Sequence, residues 1–168
     1  MSEHGVVNTA LESPGGLCTP ISRSLMASTV EPSRKSPRGR IILPLHKSAD
    51  ALLQRMLNAV QPGSYIRPHR HTVDRAESIV VLAGAVLFLR FNNDGSVAET
   101  YELRSGTEVF GIDFEGGIWH SFLALEPDTV IFEVKPGPYH AAADKEFADW
   151  APEEGTPEAE EYLAALCR

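Results

Sequence analysis

The chain has 168 residues, 43% of them hydrophobic, which suits one domain with its own core and short tails. Its formal charge is −8, but eight acids against two bases from Asp144 onward account for most of it, so no broad basic face is left for nucleic acid. The longest apolar run, residues 79–89, is too short to cross a bilayer. Cys18 and Cys167 form no CxxC pair, and the first thirty residues lack a charged start followed by an apolar core, so a soluble cytoplasmic chain is expected.

Residues 1–19 are rich in Ser, Gly, Thr and Pro and read as a partly disordered lead. Ile21, Leu25 and Met26 make a short helical stripe over residues 20–30, and Pro32 discourages its continuation. Arg34, Lys35, Arg38 and Arg40 then form a basic cluster, either a solvated linker or an arm that meets an anion at a pocket mouth. Residues 41–45 read as an edge strand interrupted by Pro44, and residues 52–60 as helix or strand. After the turn at Gln61-Pro62-Gly63, short apolar segments recur at 65–71, 78–83, 85–91, 97–103, 108–114, 118–125 and 129–135, with a hairpin turn at Asn93-Asp94-Gly95. This spacing predicts an all-β antiparallel sandwich or barrel. Residues 141–150 suggest one or two helical turns with Phe147 and Trp150 packing on the barrel, and a helix is expected to start at Thr156-Pro157. The divisions are thus a lead over 1–40, a barrel over 41–140 and an acidic helical segment over 141–168.

The chemistry concentrates in residues 63–84. His69 and His71 alternate along a strand, so their side chains share one face, and Glu77 opens the next apolar run. Two imidazoles on one face, with a carboxylate arriving from the next strand, suit a divalent transition metal. Glu77 has a second reading, as a residue that caps or solvates the strand end. His120, in Gly117-Ile118-Trp119-His120, is either a further ligand or a core histidine. No Ser/His/Asp array or phosphate-binding glycine loop is apparent, which disfavours hydrolysis by a nucleophile and use of nucleoside triphosphates.

The spacing of Gly63, His69, His71, Glu77 and Gly84 resembles the first cupin motif, with five residues between His71 and Glu77 where three or four are usual. The segment Gly117 to His120 resembles the second, with Glu115 in place of the usual proline and Ala124 in place of asparagine. Over residues 40–155, blocks such as Pro62-Gly63-Ser64-Tyr65-Ile66-Arg67-Pro68-His69-Arg70-His71, Leu125-Glu126-Pro127, Phe132-Glu133-Val134-Lys135 and Gly137-Pro138-Tyr139 resemble the WbuC family of cupin-fold metalloproteins. That resemblance implies a cupin-type antiparallel jelly-roll β-barrel with short N- and C-terminal helical segments. It also implies one divalent ion (Fe, Zn, Ni or Mn) on His69, His71, Glu77 and His120, and a link to bacterial surface polysaccharides.

Strand parity adds Tyr65 and Arg67 to the face of His69 and His71, and Phe122 to that of His120, with Phe88 on the neighbouring strand. These four are the candidate contacts for a small polar or anionic, sugar-like compound. Arg67 is either an anion fork or one half of an ion pair with an internal acid such as Glu133. A metal-dependent isomerase, epimerase or non-haem oxygenase is one expectation, and a non-catalytic binding or regulatory module the other. Exposed sheet edges, covered by the segment before residue 50 across a two-fold axis, suggest a homodimer.

Overall fold

The computed structural model describes residues 9–142 and 144–167; the first eight residues of the expected disordered lead lie outside them. After helix α1 (Arg23–Lys35) come strands β1 (Arg40–Pro44), β2 (Leu53–Val60), β3 (His69–Arg70), β4 (Glu77–Ala83) and β5 (Ala85–Phe91). Strands β6 (Val97–Arg104), β7 (Gly111–Phe114), β8 (Trp119–Ala124), β9 (Thr129–Pro136) and β10 (Glu146–Phe147) follow, and helix α2 (Pro157–Leu166) closes the chain. The strands form two antiparallel sheets, β1-β2-β9-β4-β7 and β10-β3-β8-β5-β6. The inner faces of the two sheets meet in an apolar core that includes Val60, Ile79, Val81, Phe88, Leu103, Phe122 and Ile131. The result is the all-β, cupin-type jelly roll that the sequence implies.

Each helix covers an outer face. Helix α1 starts at the Ser22 cap and lays Val30 on Leu43, Leu57 and Val130 of the first sheet. It runs on through Pro32 to Lys35, contrary to the expected stop. Thr29, Val30 and Ser33 are buried against the sheet, and this packing outweighs the hydrogen bond that proline cannot donate. Helix α2, capped by Thr156 with Pro157 in its first turn, contributes Leu163 and Leu166 to a cluster with Trp119, Leu123 and Trp150 outside the second sheet.

Other local expectations are replaced by tertiary pairing. Only His69–Arg70 of segment 65–71 is strand, because Arg40 donates to the Tyr65 carbonyl (2.8 Å) and Ser121 to that of Ile66 (2.7 Å). Segment 141–150 makes no helix among its described residues. Glu146 and Phe147 instead pair with Arg70 and His69, and the Ala148 N–H donates to the Pro68 carbonyl at 2.9 Å. The basic cluster is neither linker nor free arm. Arg34 pairs with Asp128, Lys35 with Glu31 (2.7 Å), and Arg38 and Arg40 both reach Glu154 (2.9 and 2.7 Å). The outer edge of β1 is covered by this chain's own residues: the Leu11 N–H donates to the Ile42 carbonyl at 2.8 Å.

Candidate metal centre

Pairing of β3 with β8 sets His69 directly opposite His120, and the chain continues past β3 to put His71 on the same side. The three imidazoles are buried, and one ligand atom from each lies within 4.8 Å of the others. Glu77, the first residue of β4, enters from the facing sheet. Its Oε2 lies 3.0 Å from His71 Nε2 and 3.9 Å from His120 Nε2. The longer connection between His71 and Glu77 is taken up by a turn at 72–76. There the Arg75 guanidinium donates to the Pro136 carbonyl (2.8 Å) and to Asp144 (3.1 Å). Gly116, just before the second motif, fits beneath this turn: a Cβ on it would meet the Thr72 carbonyl oxygen at 2.2 Å.

The hydrogen bonds behind the imidazoles aim them. Nδ1 of His69 lies 3.0 Å from the Arg67 carbonyl, that of His71 2.5 Å from the Asp144 carbonyl, and that of His120 2.9 Å from the Ile118 carbonyl. A carbonyl only accepts, so each Nδ1 carries the proton and each Nε2 offers a lone pair inward. His71 Nε2 and Glu77 Oε2 are buried without hydrogen-bond partners, although they are 3.0 Å apart. Ligand bonds of about 2.0–2.2 Å set at right angles place neighbouring donor atoms about 3.0 Å apart. Two orphaned donors at this spacing fit a shared cation, and the donor set fits a divalent transition metal better than Ca²⁺.

Electrostatics keep these donors in their ligating forms. Burial pushes His69 well below the ordinary histidine range and His120 down to about 4, so both are neutral at pH 7. Burial opposes ionisation of Glu77, but His71, Lys135 and His120 beside it outweigh that and hold it below the usual carboxylate range. The next carboxyl inward, Glu133, is pushed up to about 7 by burial and by the Glu77 charge. Lys135 spans the acids of this wall, 3.5 Å from Glu133 and 3.7 Å from Asp144.

A cavity of about 610 Å³, within the usual range for small-molecule sites, opens onto the centre. Arg67 and Phe122 lie on its wall. Arg67 donates to the Ala148 carbonyl (2.9 Å), sits over Phe147 (5.5 Å) and lies 3.9 Å from the exposed Glu153; the ion partner of Glu133 is Lys135. Phe88 is fully buried behind the centre, stacked on His120 at 6.0 Å. Tyr65 turns away, with its hydroxyl on the Pro152 carbonyl (2.9 Å) and its ring on Tyr162. Asn58, Glu133, Lys135 and Lys145 also line the cavity and were not read as site residues. Three of them are polar side chains at inward positions of apolar strands, a signal present in the sequence: Asn58 on β2, and Glu133 and Lys135 on β9.

The family described as a domain of unknown function, DUF6016, matches residues 21–103. No curated protein matches the chain. Among solved structures, the capsular polysaccharide assembling protein CapF from Staphylococcus aureus is similar at 17% identity and a TM-score of 0.53, over 63% of this chain and 29% of that one. A structure of DMSP lyases is similar at 16% identity and a TM-score of 0.50, over 66% of this chain and 53% of that one. KdgF from Halomonas sp. is similar at 18% identity and a TM-score of 0.48, over 61% and 82%. This chain therefore spans under a third of the CapF chain and about half of the DMSP lyase chain. The likeness to CapF and to the lyases is one of fold.

Proposed function

We propose that the protein is a metal-dependent cupin that acts on a small polar or anionic, sugar-like compound. His69, His71, Glu77 and His120 would hold one ion of Fe, Zn, Ni or Mn, and that ion, when bound, supplies Lewis-acid polarisation of a carbonyl or hydroxyl. The observation that carries this reading is the set of three clustered imidazoles, each locked through Nδ1 to a backbone carbonyl, with Nε2 of His71 and of His120 facing Glu77.

The chain's own residues suit proton transfer at carbon. Glu133, on the cavity wall with Lys135 at 3.5 Å, is a carboxyl able to take or give a proton, and Lys135 keeps it oriented. Phe122 and Ile66 supply the apolar part of the wall and exclude water from one side. This favours an isomerase- or epimerase-type reaction over binding alone. The sequence resemblance to the WbuC family supports a role in surface-polysaccharide metabolism in the cytoplasm, and the free edges at β6, β7 and β10 leave room for a homodimer.

The test is solvent exchange. Metal-loaded protein is incubated in D₂O with a panel of sugar acids and hydroxy acids, and deuterium at carbon is followed by NMR. Exchange into at least one compound is expected, together with its loss in Glu133→Gln at unchanged metal content. Binding without exchange across the panel would assign the protein to the non-catalytic class.

A further inference from the structure

Lys145 stands apart from the other cations that line the cavity. It is partly buried, it lines the cavity, and among the described residues it makes no hydrogen bond or ion pair. The acids around it are already engaged. Asp144 binds Arg75 (3.1 Å) and Lys135 (3.7 Å), Glu133 faces Lys135 (3.5 Å), and Glu77 faces the imidazoles. Withdrawing an ammonium from water without a counter-charge is costly. Burial and the nearby Lys135 charge push Lys145 below the ordinary lysine range, against the weaker pull of Asp144, Glu133 and Glu77. The strap that carries it sets its direction. Glu146 points outward to Arg70 (2.8 Å), whereas Lys145 and Phe147 on either side line the cavity.

Two further polar atoms on the same cavity wall lack hydrogen bonds. Asn58 Oδ1 is buried with no hydrogen bond, and so is Arg67 Nε. Arg67 lies over Phe147, whose ring is 6.2 Å from that of His69, so guanidinium, Phe147 and metal centre are adjacent. We propose that Lys145 and Arg67 form a second anionic subsite, so that the ligand carries an acidic group on them and a second oxygen function at the metal centre. The unfilled amide of Asn58 adds a hydrogen-bond site suited to a hydroxyl. The ligand class is a small hydroxylated compound with an acidic group remote from its metal-facing end: a hydroxy dicarboxylate, a sugar acid or a sugar phosphate. This inference rests on the metal-centre reading for the ligand's other end only.

Binding is read by calorimetry on the full chain with its metal content measured, using malate against lactate for the carboxylate arm and glycerol phosphate against glycerol for the phosphate arm. In the wild type at least one acidic probe binds about tenfold or more tightly than its partner lacking the second charge. In Lys145→Met that advantage disappears, while Lys145→Arg keeps most of it. Because Lys145 has no structural partner, Lys145→Met keeps the wild-type metal content and melting temperature. The same advantage in Lys145→Met, or no preference for either acidic probe in fully loaded wild type, would overturn the subsite. Wild type that takes up no metal but still shows a Lys145-dependent preference supports the subsite and refutes the metal centre alone.

Discussion

Chelated protein should show an unusual balance of protons on unfolding near pH 6. His69 and His120 are neutral in the fold because burial lowers both, His120 to about 4. Once unfolded, each regains an ordinary value of about 6.5 and carries about 0.75 proton at pH 6. The pair therefore takes up about 1.5 protons on unfolding, and its contribution is present above pH 6.5 and lost as the pH falls through the folded values. Glu133 works in the opposite sense. Its carboxyl, pushed up to about 7, is mostly protonated in the fold at pH 6 and ionises on unfolding. It releases about 0.9 proton there, and its contribution is present below about pH 4.5 and lost as the pH rises through 7. The net uptake is about 0.6 proton, so unfolding free energy rises by about 0.8 kcal/mol per pH unit. Glu133→Gln removes the opposing group and steepens this to about 2 kcal/mol per unit, while His120→Phe flattens it to near zero. Urea unfolding between pH 5.5 and 6.5, followed by the fluorescence of Trp119 and Trp150, measures all three slopes. Equal slopes in wild type and Glu133→Gln would refute the protonated carboxyl, and an unchanged slope in His120→Phe would refute the buried neutral imidazole.

Phe88→Ala should cost about 3–5 kcal/mol, because the ring is fully buried between Phe114 and His120; thermal melting of chelated protein checks it. Gly84→Ala should cost about 2 kcal/mol or more, since φ is +74° and the added Cβ would lie 2.3 Å from Thr129 Oγ1; a Gly84→Ala variant with the wild-type melting temperature contradicts this. Asp144→Asn keeps the carbonyl that orients His71 but loses the charge that holds Arg75 and Lys135, so melting temperature should fall more than metal content. Metal affinity should hold down to about pH 5 and fall steeply only as the pH approaches the lowered folded values, about 4 for His120, where protons begin to compete for the buried imidazoles; a metal titration across pH 7 to 4 checks it.

The barrel was legible because recurrent short apolar segments, β4, β5, β8 and β9 among them, and the turns between them are local signals. The shared face of His69 and His71 follows from strand parity, whereas joining His120 to them rests on the resemblance of the Gly117 to His120 segment to the second cupin motif. What escaped depends on contacts distant in sequence. The strap at 144–148 reads locally as a helical turn, yet it is held extended by Pro68 and β3, so Lys145 could not be placed in the cavity beforehand. Tyr65 has the parity of His69, but the chain leaves the ladder at Pro68 and its hydroxyl goes to Pro152. Glu133 and Lys135 carried a usable signal, two charges at inward positions of a strand that also buries Thr129 and Ile131. Their pairing with each other and with Asp144, rather than with Arg67, required the second sheet and the strap to be in place.

The central claim is one divalent ion held by His69, His71, Glu77 and His120. Elemental analysis of protein purified without chelator, in parallel with His69→Ala/His120→Ala, tests it most directly. Close to one equivalent of Fe, Zn, Ni or Mn per chain is expected in the wild type, and a folded double variant with almost none. Full stoichiometric metal in the double variant would contradict the claim, as would wild-type protein that takes up no divalent transition metal on titration.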